Sequence, residues 1–229
     1  MNPPQEFFKS FLTRLGSHLS EKSIQLSGSA LNYLEVGRWM HQQGCKVGKR
    51  VQAREDVWKL VAAELSCRRQ PLYLEFGASS GDHIRYWATL LTGDQCRFVG
   101  FDSFEGLPEN WTKSYPKGTF TRNGQIPQVD DSRVSFVKGW FHETVPHYAP
   151  PAHDVLIVNI DSDLYSSATC VLSALRDSIT PGTYVYFDEF NVVHDELRAF
   201  DEFIAETGMR FRCVGASSNL NHVAFQRIR

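Results

Sequence analysis

The sequence predicts an α/β fold whose mostly parallel, seven-stranded sheet is covered by helices on both faces. Three observations support this prediction. Short apolar runs alternate with amphipathic segments from residue 71 onward, most of these runs end on an acid, and the last two form a closing antiparallel hairpin pair. Continuous apolar runs are typical of parallel strands that are buried on both faces. Their alternation with helical segments indicates right-handed crossovers within one sheet.

The first part of the chain, residues 1–70, is predicted to form an N-terminal helical cap, followed by the sheet domain at 71–229. Apolar residues recur in this segment at helical spacing, which predicts packing faces, and no run has the pattern of a strand. One such face consists of Phe7, Phe8, Phe11, Leu12 and Leu15. We expect the region to be divided into short helices by glycines, at Gly28, Gly37, Gly44 and Gly48.

Seven runs of the second part predict strands, at 72–76, 96–101, 134–138, 155–160, 183–187, 210–214 and 222–226. Helical periodicity predicts helices after Gly81, at 166–178 and at 195–206. Residues 103–133 have neither pattern, although they contain several aromatic side chains. Because so long a loop in a compact domain is usually functional, we expect it to form a lid or a wall of the substrate site.

Composition excludes several classes of function. A net charge of -2 argues against a nucleic-acid surface, which needs an excess of Lys and Arg. No apolar run approaches the roughly 20 residues of a membrane helix, and the first residues lack the pattern of a secretion signal. The five cysteines include no C-x-x-C pair and suggest neither a disulfide framework nor a zinc site. We therefore expect a cytoplasmic protein that binds neither membranes nor nucleic acids.

Acidic residues stand at or near the ends of four predicted strands, at Glu75, Asp102, Asp161 and Asp188-Glu189. Open α/β sheets bind their ligands where the carboxyl ends of the strands emerge, so these acids are predicted to share one rim. Any single one of them could equally be the N-cap of the following helix. Four in succession favour a binding site.

A glycine-rich turn, Gly77-Ala-Ser-Ser-Gly81, follows the first of these strands and begins a helix. With Asp102 about twenty-five residues beyond Gly77, it fits a site for a ribose-containing cofactor, and the spacing suits NAD and S-adenosylmethionine alike. The same turn also matches the G-x-S-x-G elbow of a hydrolase, with Ser79 as nucleophile and with Asp188 and His222 completing a triad. That alternative leaves the other acids without a role.

Four ordered motifs resemble the macrocin-type O-methyltransferase family, over about residues 70–206. They are Val99-Gly-Phe-Asp-Ser-Phe-Glu-Gly-Leu-Pro-Glu109, Val137-Lys-Gly-Trp-Phe-His-Glu-Thr-Val-Pro146, Asn159-Ile-Asp-Ser-Asp-Leu-Tyr-Ser-Ser167 and Phe187-Asp-Glu-Phe190. The resemblance implies the Rossmann-like class I methyltransferase fold and S-adenosylmethionine as cofactor. Many members methylate sugar hydroxyls during antibiotic biosynthesis.

The resemblance also implies a cofactor site at the strand ends, made of Glu75, Gly77, Gly81, Asp102, Ser103, Gly139, Trp140 and Asp161. The glycines would border the methionine end of the cofactor, with Glu75 below its amino group. Asp102 and Ser103 would lie at the ribose, and Gly139 and Trp140 at the adenine.

Three carboxylates form the predicted metal site: Asp161, Asp188 and Glu189. Carboxylates brought to one point repel one another unless a cation lies among them, and hard oxygen ligands suit Mg²⁺. The family places magnesium there, with Asp161 also able to receive the proton of the acceptor hydroxyl. This chain departs from its relatives at Glu189, where many have Asp, and at Leu164, where catechol-methylating relatives have a lysine.

Together these features predict an S-adenosylmethionine-dependent, Mg²⁺-assisted O-methyltransferase. Its acceptor would be a hydroxyl of a small polar molecule, such as a sugar or a glycosylated natural product. The N-terminal segment and the loop 103–133 would form the acceptor pocket, and relatives suggest a homo-oligomer, either a dimer or a tetramer. Two alternatives remain open: a non-catalytic cofactor-binding protein and the hydrolase that uses Ser79.

Overall fold

A computed structural model of the chain describes residues 3–65, 67 and 69–229. Residues 1, 2, 66 and 68 fall in the predicted N-terminal cap and lie outside the described part. The helices are α1 (Pro3–Gly16), α2 (Glu21–Gln42), α3 (Arg54–Glu64), α4 (Asp82–Leu90), α5 (Phe141–Thr144), α6 (Tyr165–Ala174) and α7 (Glu196–Thr207). The strands are β1 (Arg50–Val51), β2 (Pro71–Phe76), β3 (Arg97–Asp102), β4 (Val134–Lys138), β5 (Val155–Ile160), β6 (Tyr184–Phe187), β7 (Phe211–Ser217) and β8 (Val223–Arg227).

The strands form one sheet in the order β1-β7-β8-β6-β5-β2-β3-β4. Only β8 runs antiparallel to its neighbours β6 and β7 among the described strands. The α/β class, the mostly parallel sheet and the closing hairpin are confirmed. The sheet has eight strands rather than seven, because Arg50 and Val51 pair in parallel with Ala216 and Ser217 of β7. A strand of two residues is too short to show the alternation by which strands are recognised in a sequence.

The adjacent inner strands β2 and β5 are buried along their whole length. Their alternate residues face two different apolar clusters, as expected for a sheet that is covered on both sides. In one cluster the Trp39 ring packs edge-on against the rings of Phe190 and Phe225. In the other, Trp58 and Tyr73 both contact Trp87. The carboxyl ends of the parallel strands are thereby fixed to a rigid centre.

The first two helices differ from the prediction. Helix α2 continues through Gly28 and Gly37, so the expected breaks at these two positions are wrong. Glycine inside a helix costs only about 1 kcal/mol relative to alanine, which a helix of 22 residues that is anchored at one end tolerates. Gly44, with φ +66°, does follow the end of the helix, where the left-handed conformation favours glycine.

The apolar face predicted on α1 is exposed to solvent. Residues 5–15 are exposed throughout, with 78% of Phe7 and 58% of Phe8 accessible. Only the last turns of α2 reach the core, through Val36, Trp39 and Met40. No helix in the described ranges combines the length and the apolar character needed to cross a bilayer.

Candidate active site

A cavity of about 690 Å³ lies at the carboxyl ends of the parallel strands. Eight of the predicted site residues line it: Gly77, Asp102, Ser103, Gly139, Trp140, Asp161, Asp188 and Glu189. Two predicted cofactor residues, Glu75 and Gly81, are not part of the lining. The strand ends therefore share one rim, as the pattern of acids predicts.

Gly77 turns the chain from β2 into the loop before α4, with φ +101°. Its amide donates to the carbonyl of Phe101, while the amide of Asp161 donates to the carbonyl of Phe76, each at 3.0 Å. A Cβ atom at Gly77 would lie 1.8 Å from the carbonyl oxygen of Asp161. Only glycine fits here, because any side chain would push apart the two strand ends on which the cavity is built.

Asp102 ends β3 with both carboxylate oxygens already hydrogen-bonded to the backbone. The amide of Ser79 donates to Oδ2 at 2.8 Å, and the amide of Phe104 donates to Oδ1 at 2.6 Å. Burial raises the pKa of Asp102, and these amide contacts oppose that rise. Since each carboxylate oxygen has a second lone pair, the group is oriented and can still accept two neighbouring hydroxyl groups.

Gly139 and Trp140 extend the same rim after β4. The Gly139 amide donates to the carbonyl of Asp102 at 3.0 Å, and its φ is +148°. A Cβ atom at Gly139 would lie 2.7 Å from Cγ2 of Thr144, so the backbone there passes close to α5. Trp140 is half-buried and presents an aromatic surface to the cavity.

Glu75 lies behind the cavity wall, with 1% of the residue exposed. It accepts a hydrogen bond from the hydroxyl of Tyr73, and its Oε1 lies 3.5 Å from Nδ1 of His83. The same Nδ1 lies 3.1 Å from Oδ2 of Asp161. His83, which lines the cavity, therefore stands between the buried acid and the ligand space. Burial raises the pKa of Glu75 to about 7, against the opposing effect of His83.

Two opposing effects act on the pKa of His83. Burial works to lower its pKa, but the carboxylates of Asp161 and Glu75 outweigh this and raise it to about 10. On the other side of the ring, Nη1 of Arg54 lies 3.0 Å from Nε2. The ring is thus flanked by the guanidinium at Nε2 and by the two carboxylates at Nδ1. In this arrangement His83 donates to Asp161.

The acids at the ends of β5 and β6 line the same cavity and influence one another's pKa. Burial, together with the charge of Asp188, raises the pKa of Asp161. Burial and the same neighbouring acids raise the pKa of Asp163 and of Glu189 to about 7 each. Burial is the larger cause of these pKa shifts, and the repulsion among carboxylates that the sequence predicts adds to it.

Asp188 is the exception, because cations and donors surround it. Tyr186 donates its hydroxyl to Oδ1 at 2.7 Å, and Nδ1 of His222 lies 3.1 Å from the same oxygen. Nη1 of Arg54 lies 3.1 Å from Oδ2. Burial works to raise the pKa of Asp188, but these contacts outweigh it and lower that pKa.

The predicted metal ligands have suitable chemistry, because Asp161, Asp188 and Glu189 supply hard oxygen donors to one cavity. Their arrangement is not that of a formed metal site. Within the described ranges, no three His, Cys, Asp or Glu side chains are gathered so that they could hold an ion. Asp188 accounts for this in part, since both of its oxygens already have partners.

The long loop 103–133 contains neither helix nor strand and forms one wall of the cavity, as predicted. Several side-chain hydrogen bonds tie it to the rest of the chain, and two of them reach residues that follow β5 and β6. Nε1 of Trp111 donates to Asp195 at 2.9 Å, and the hydroxyl of Ser166 donates to Glu109 at 2.5 Å. The predicted contribution of the N-terminal segment is much smaller, since Arg54 is the one described residue of 1–70 in the lining.

Two residues at the centre of the site, Arg54 and His83, were not predicted from the sequence. His83 lies in the first turn of the helix that follows the glycine-rich loop, and this position is a usable signal because first-turn side chains point at the loop. Arg54 gives no such signal, since it reaches the strand ends only through the packing of α3.

The hydrolase alternative is not favoured by the geometry. Asp188 does contact His222, but among the described residues no hydrogen bond joins Ser79 to His222. His222 is also not part of the cavity lining, whereas Ser79 is. A nucleophile needs its base within hydrogen-bond reach.

Comparison with known proteins gives a consistent result. The family profile of the macrocin-O-methyltransferases (TylF) matches residues 89–213. The enzyme 8-demethyl-8-(2,3-dimethoxy-alpha-L-rhamnosyl)-tetracenomycin-C 4'-O-methyltransferase of Streptomyces olivaceus is 30% identical over 131 residues, which are 45% of this chain and 48% of the relative. Demethyldecarbamoylnovobiocin O-methyltransferase of Streptomyces niveus is 27% identical, over 46% of each chain. The matched regions thus span about half the length of these curated relatives.

Solved structures share the fold. The O-methyltransferase NovP has a TM-score of 0.56 at 22% identity, over 77% of this chain and 79% of NovP. The calicheamicin methyltransferase CalS11 has a TM-score of 0.58 at 21% identity, over 99% of this chain and 93% of CalS11. At these levels of identity the similarity shows a shared fold.

Proposed function

The chain belongs to the macrocin-O-methyltransferase family, and on this premise we propose that it transfers a methyl group from S-adenosylmethionine to a hydroxyl of a sugar or glycosylated natural product. One observation above all supports this proposal. A single cavity of about 690 Å³ joins the Gly77 turn, an oriented carboxylate at Asp102 and a group of acids at the ends of β5 and β6.

The first part of the cavity suits the cofactor, which supplies an electrophilic methyl group on a sulfonium. Asp102 would accept hydrogen bonds from two vicinal ribose hydroxyls, because its backbone contacts fix its orientation and leave lone pairs available. The turn at Gly77 allows close approach of a ligand to the backbone. Trp140 would stack against a flat base. Glu75 would act through His83 rather than by direct contact.

The second part of the cavity suits a hydroxyl acceptor. We assign to Asp161 the role of proton acceptor, since its Oδ2 is held by His83 at 3.1 Å and its carboxylate lines the cavity. A hydroxyl that loses its proton as the new bond forms is a far better nucleophile than a neutral one. The loop 103–133 would exclude water during the transfer.

Magnesium assistance forms part of the proposal. Asp161, Asp188 and Glu189 would hold Mg²⁺, which would lower the pKa of a bound hydroxyl. The solved structure cmcI-D160, a structural neighbour with a TM-score of 0.53 and 18% identity, contains Mg and SAM. In this chain the ion would share Asp188 with Arg54, Tyr186 and His222.

The class of acceptor is inferred from the relatives, whose names describe 4'-O-methylation of a rhamnosyl tetracenomycin C and O-methylation of demethyldecarbamoylnovobiocin. The test is a transfer assay with methyl-labelled S-adenosylmethionine and Mg²⁺, using a panel of glycosylated polyketides and aminocoumarins with the matching sugar-free aglycones as controls. We expect label in the glycosides only. Binding of the demethylated cofactor without label in any acceptor would instead support the non-catalytic alternative.

Assembly into a dimer or a tetramer and a cytoplasmic location remain predictions from the sequence and its resemblance.

A further inference from the structure

Arg54 places a permanent positive charge inside the acidic part of the cavity. Its Nη1 lies 3.1 Å from Oδ2 of Asp188 and 3.0 Å from Nε2 of His83. Among the described residues that line the cavity, Arg54 is the single Lys or Arg. About a third of its side chain is exposed, compared with 4% for Asp188. The arginine is therefore the partner with freedom to leave the pair.

The position of Arg54 is fixed by the helix that bears it. Arg54 is the first residue of α3, and Trp58 lies one turn later on the same face of the helix. Trp58 is buried, and its ring packs edge-on against His83 at 4.9 Å and against Tyr186 at 5.9 Å. Both of these neighbours contact the acids of the site. The packing of Trp58 thus brings the guanidinium to Asp188.

A guanidinium hydrogen-bonded to Oδ2 of Asp188 uses one lone pair of that oxygen, and its positive charge opposes the approach of a divalent cation to the same carboxylate. Mg²⁺ needs its oxygen ligands at about 2.0–2.1 Å in a nearly octahedral shell, so an ion bound through Asp188 would lie close to the charge of Arg54. Two positive charges in so small a space also repel each other. An ion that binds through Asp188 is therefore held more tightly when Arg54 moves away.

We propose that Arg54 is an internal counter-ion that competes with the divalent cation for Asp188 and thereby lowers the affinity of the site for metal. The proposal rests on the proposed metal-assisted function and goes beyond it, because it assigns the strength of metal binding to a residue outside the carboxylates. Binding of the ion moves Arg54 away from Asp188. The same movement frees Nε2 of His83.

The test measures Mn²⁺ binding to the full chain by electron paramagnetic resonance, with neither cofactor nor acceptor present. Arg54→Gln removes the charge and is expected to bind Mn²⁺ at least about tenfold more tightly than the unaltered protein. Arg54→Lys keeps the charge and should stay close to the unaltered protein. The matched control is Arg50→Gln, which changes the net charge equally but removes an arginine whose contact is the carbonyl of Ser218.

The double variant Arg54→Gln/Asp188→Asn locates the site, since it should lose the gained affinity. Equal or weaker Mn²⁺ binding by Arg54→Gln would overturn the proposal, as would an equal gain in Arg50→Gln. Thermal unfolding confirms that each variant is folded. Titration with S-adenosylhomocysteine tests the cofactor site separately from the metal site. Binding of this nucleoside without Mn²⁺ binding in any variant would contradict the metal site and support the cofactor site.

Discussion

The rim of the sheet and the first two helices both show a regular pattern in the sequence. The pattern at the rim leads to a shared cavity, whereas the pattern on the helices does not lead to a buried face. At the rim, acids that follow apolar strands meet at one cavity. On α1, and on α2 as far as Leu34, apolar residues recur along the helix and lie in solvent, with 70% of Leu34 exposed. The difference arises because neighbouring strands in a parallel sheet must align their ends, whereas a helical stripe identifies an apolar face without identifying what covers it.

The largest expected effect is at the rim, at Asp161. Asp161→Asn removes the proposed proton acceptor and is expected to lower kcat by roughly 10²–10⁴-fold, the usual range for general acid–base catalysis. Steady-state assays with a glycoside that the protein methylates measure it. Asp56→Asn, an exposed aspartate of α3 paired with Lys59, is the control and should keep full activity. Full activity in Asp161→Asn would remove Asp161 from the mechanism.

The next prediction compares the effect on stability of a buried and an exposed side chain of α2. Trp39 is 6% exposed, packs among the aromatic rings of the core and donates to Asp201 at 2.6 Å. Trp39→Ala is expected to lower the free energy of unfolding by about 3–5 kcal/mol. Leu34→Ala, five residues earlier on the exposed part, should change it by less than about 0.5 kcal/mol. Urea unfolding of both variants measures the contrast, and equal losses would show that the exposed stretch of α2 is packed.

A third test measures the loss of stability caused by a side chain at Gly77, where two strand ends lie close together. Gly77 and Gly182 have nearly equal backbone angles, φ +101° and +100°, but a Cβ atom would collide only at Gly77. Gly182→Ala is expected to cost about 1–2 kcal/mol for the left-handed conformation alone. Gly77→Ala adds the collision with Asp161 and should cost roughly 3 kcal/mol or more. Thermal unfolding decides between them, and similar losses would mean that the Gly77 turn has room for a side chain.

The smallest effect on the site is expected from the exposed helices. The double variant Phe8→Glu/Phe11→Glu should leave cofactor affinity and thermal stability unchanged, because both rings are more than half exposed. Size-exclusion chromatography with light scattering then tests the predicted homo-oligomer. If copies of the chain pair through this face, the variant will be smaller in solution than the unaltered protein. A fall in cofactor affinity would contradict the separation of the two regions.

The predictable part of the molecule is the part in which buried strands determine position. The bounds 134–138 and 155–160 agree with β4 and β5, and Asp102, Asp161 and Asp188 meet as the strand pattern requires. The four-residue helix α5 and the two-residue strand β1 were not predicted, because neither is long enough to show a period.

The unpredicted side chains of the site have a different cause. Arg54 and His83 both lie on helices, and each reaches the acids through tertiary packing around Trp58. Spacing along the chain does not encode such contacts. Glu75 is the opposite case, because the sequence pattern predicts its place near the end of β2 but not its distance from the ligand space. His83 lies between Glu75 and the cavity.

The central claim is that the strand-end cavity binds S-adenosylmethionine through Asp102. Isothermal titration of the protein with S-adenosylhomocysteine, alongside Asp102→Ala and the exposed control Asp130→Ala, tests it most directly. The account predicts saturable binding by the unaltered protein and by Asp130→Ala, with at least about a hundredfold loss in Asp102→Ala because two hydrogen bonds to a charged group disappear. Equal affinity in all three proteins, or no binding to any folded form, would contradict it.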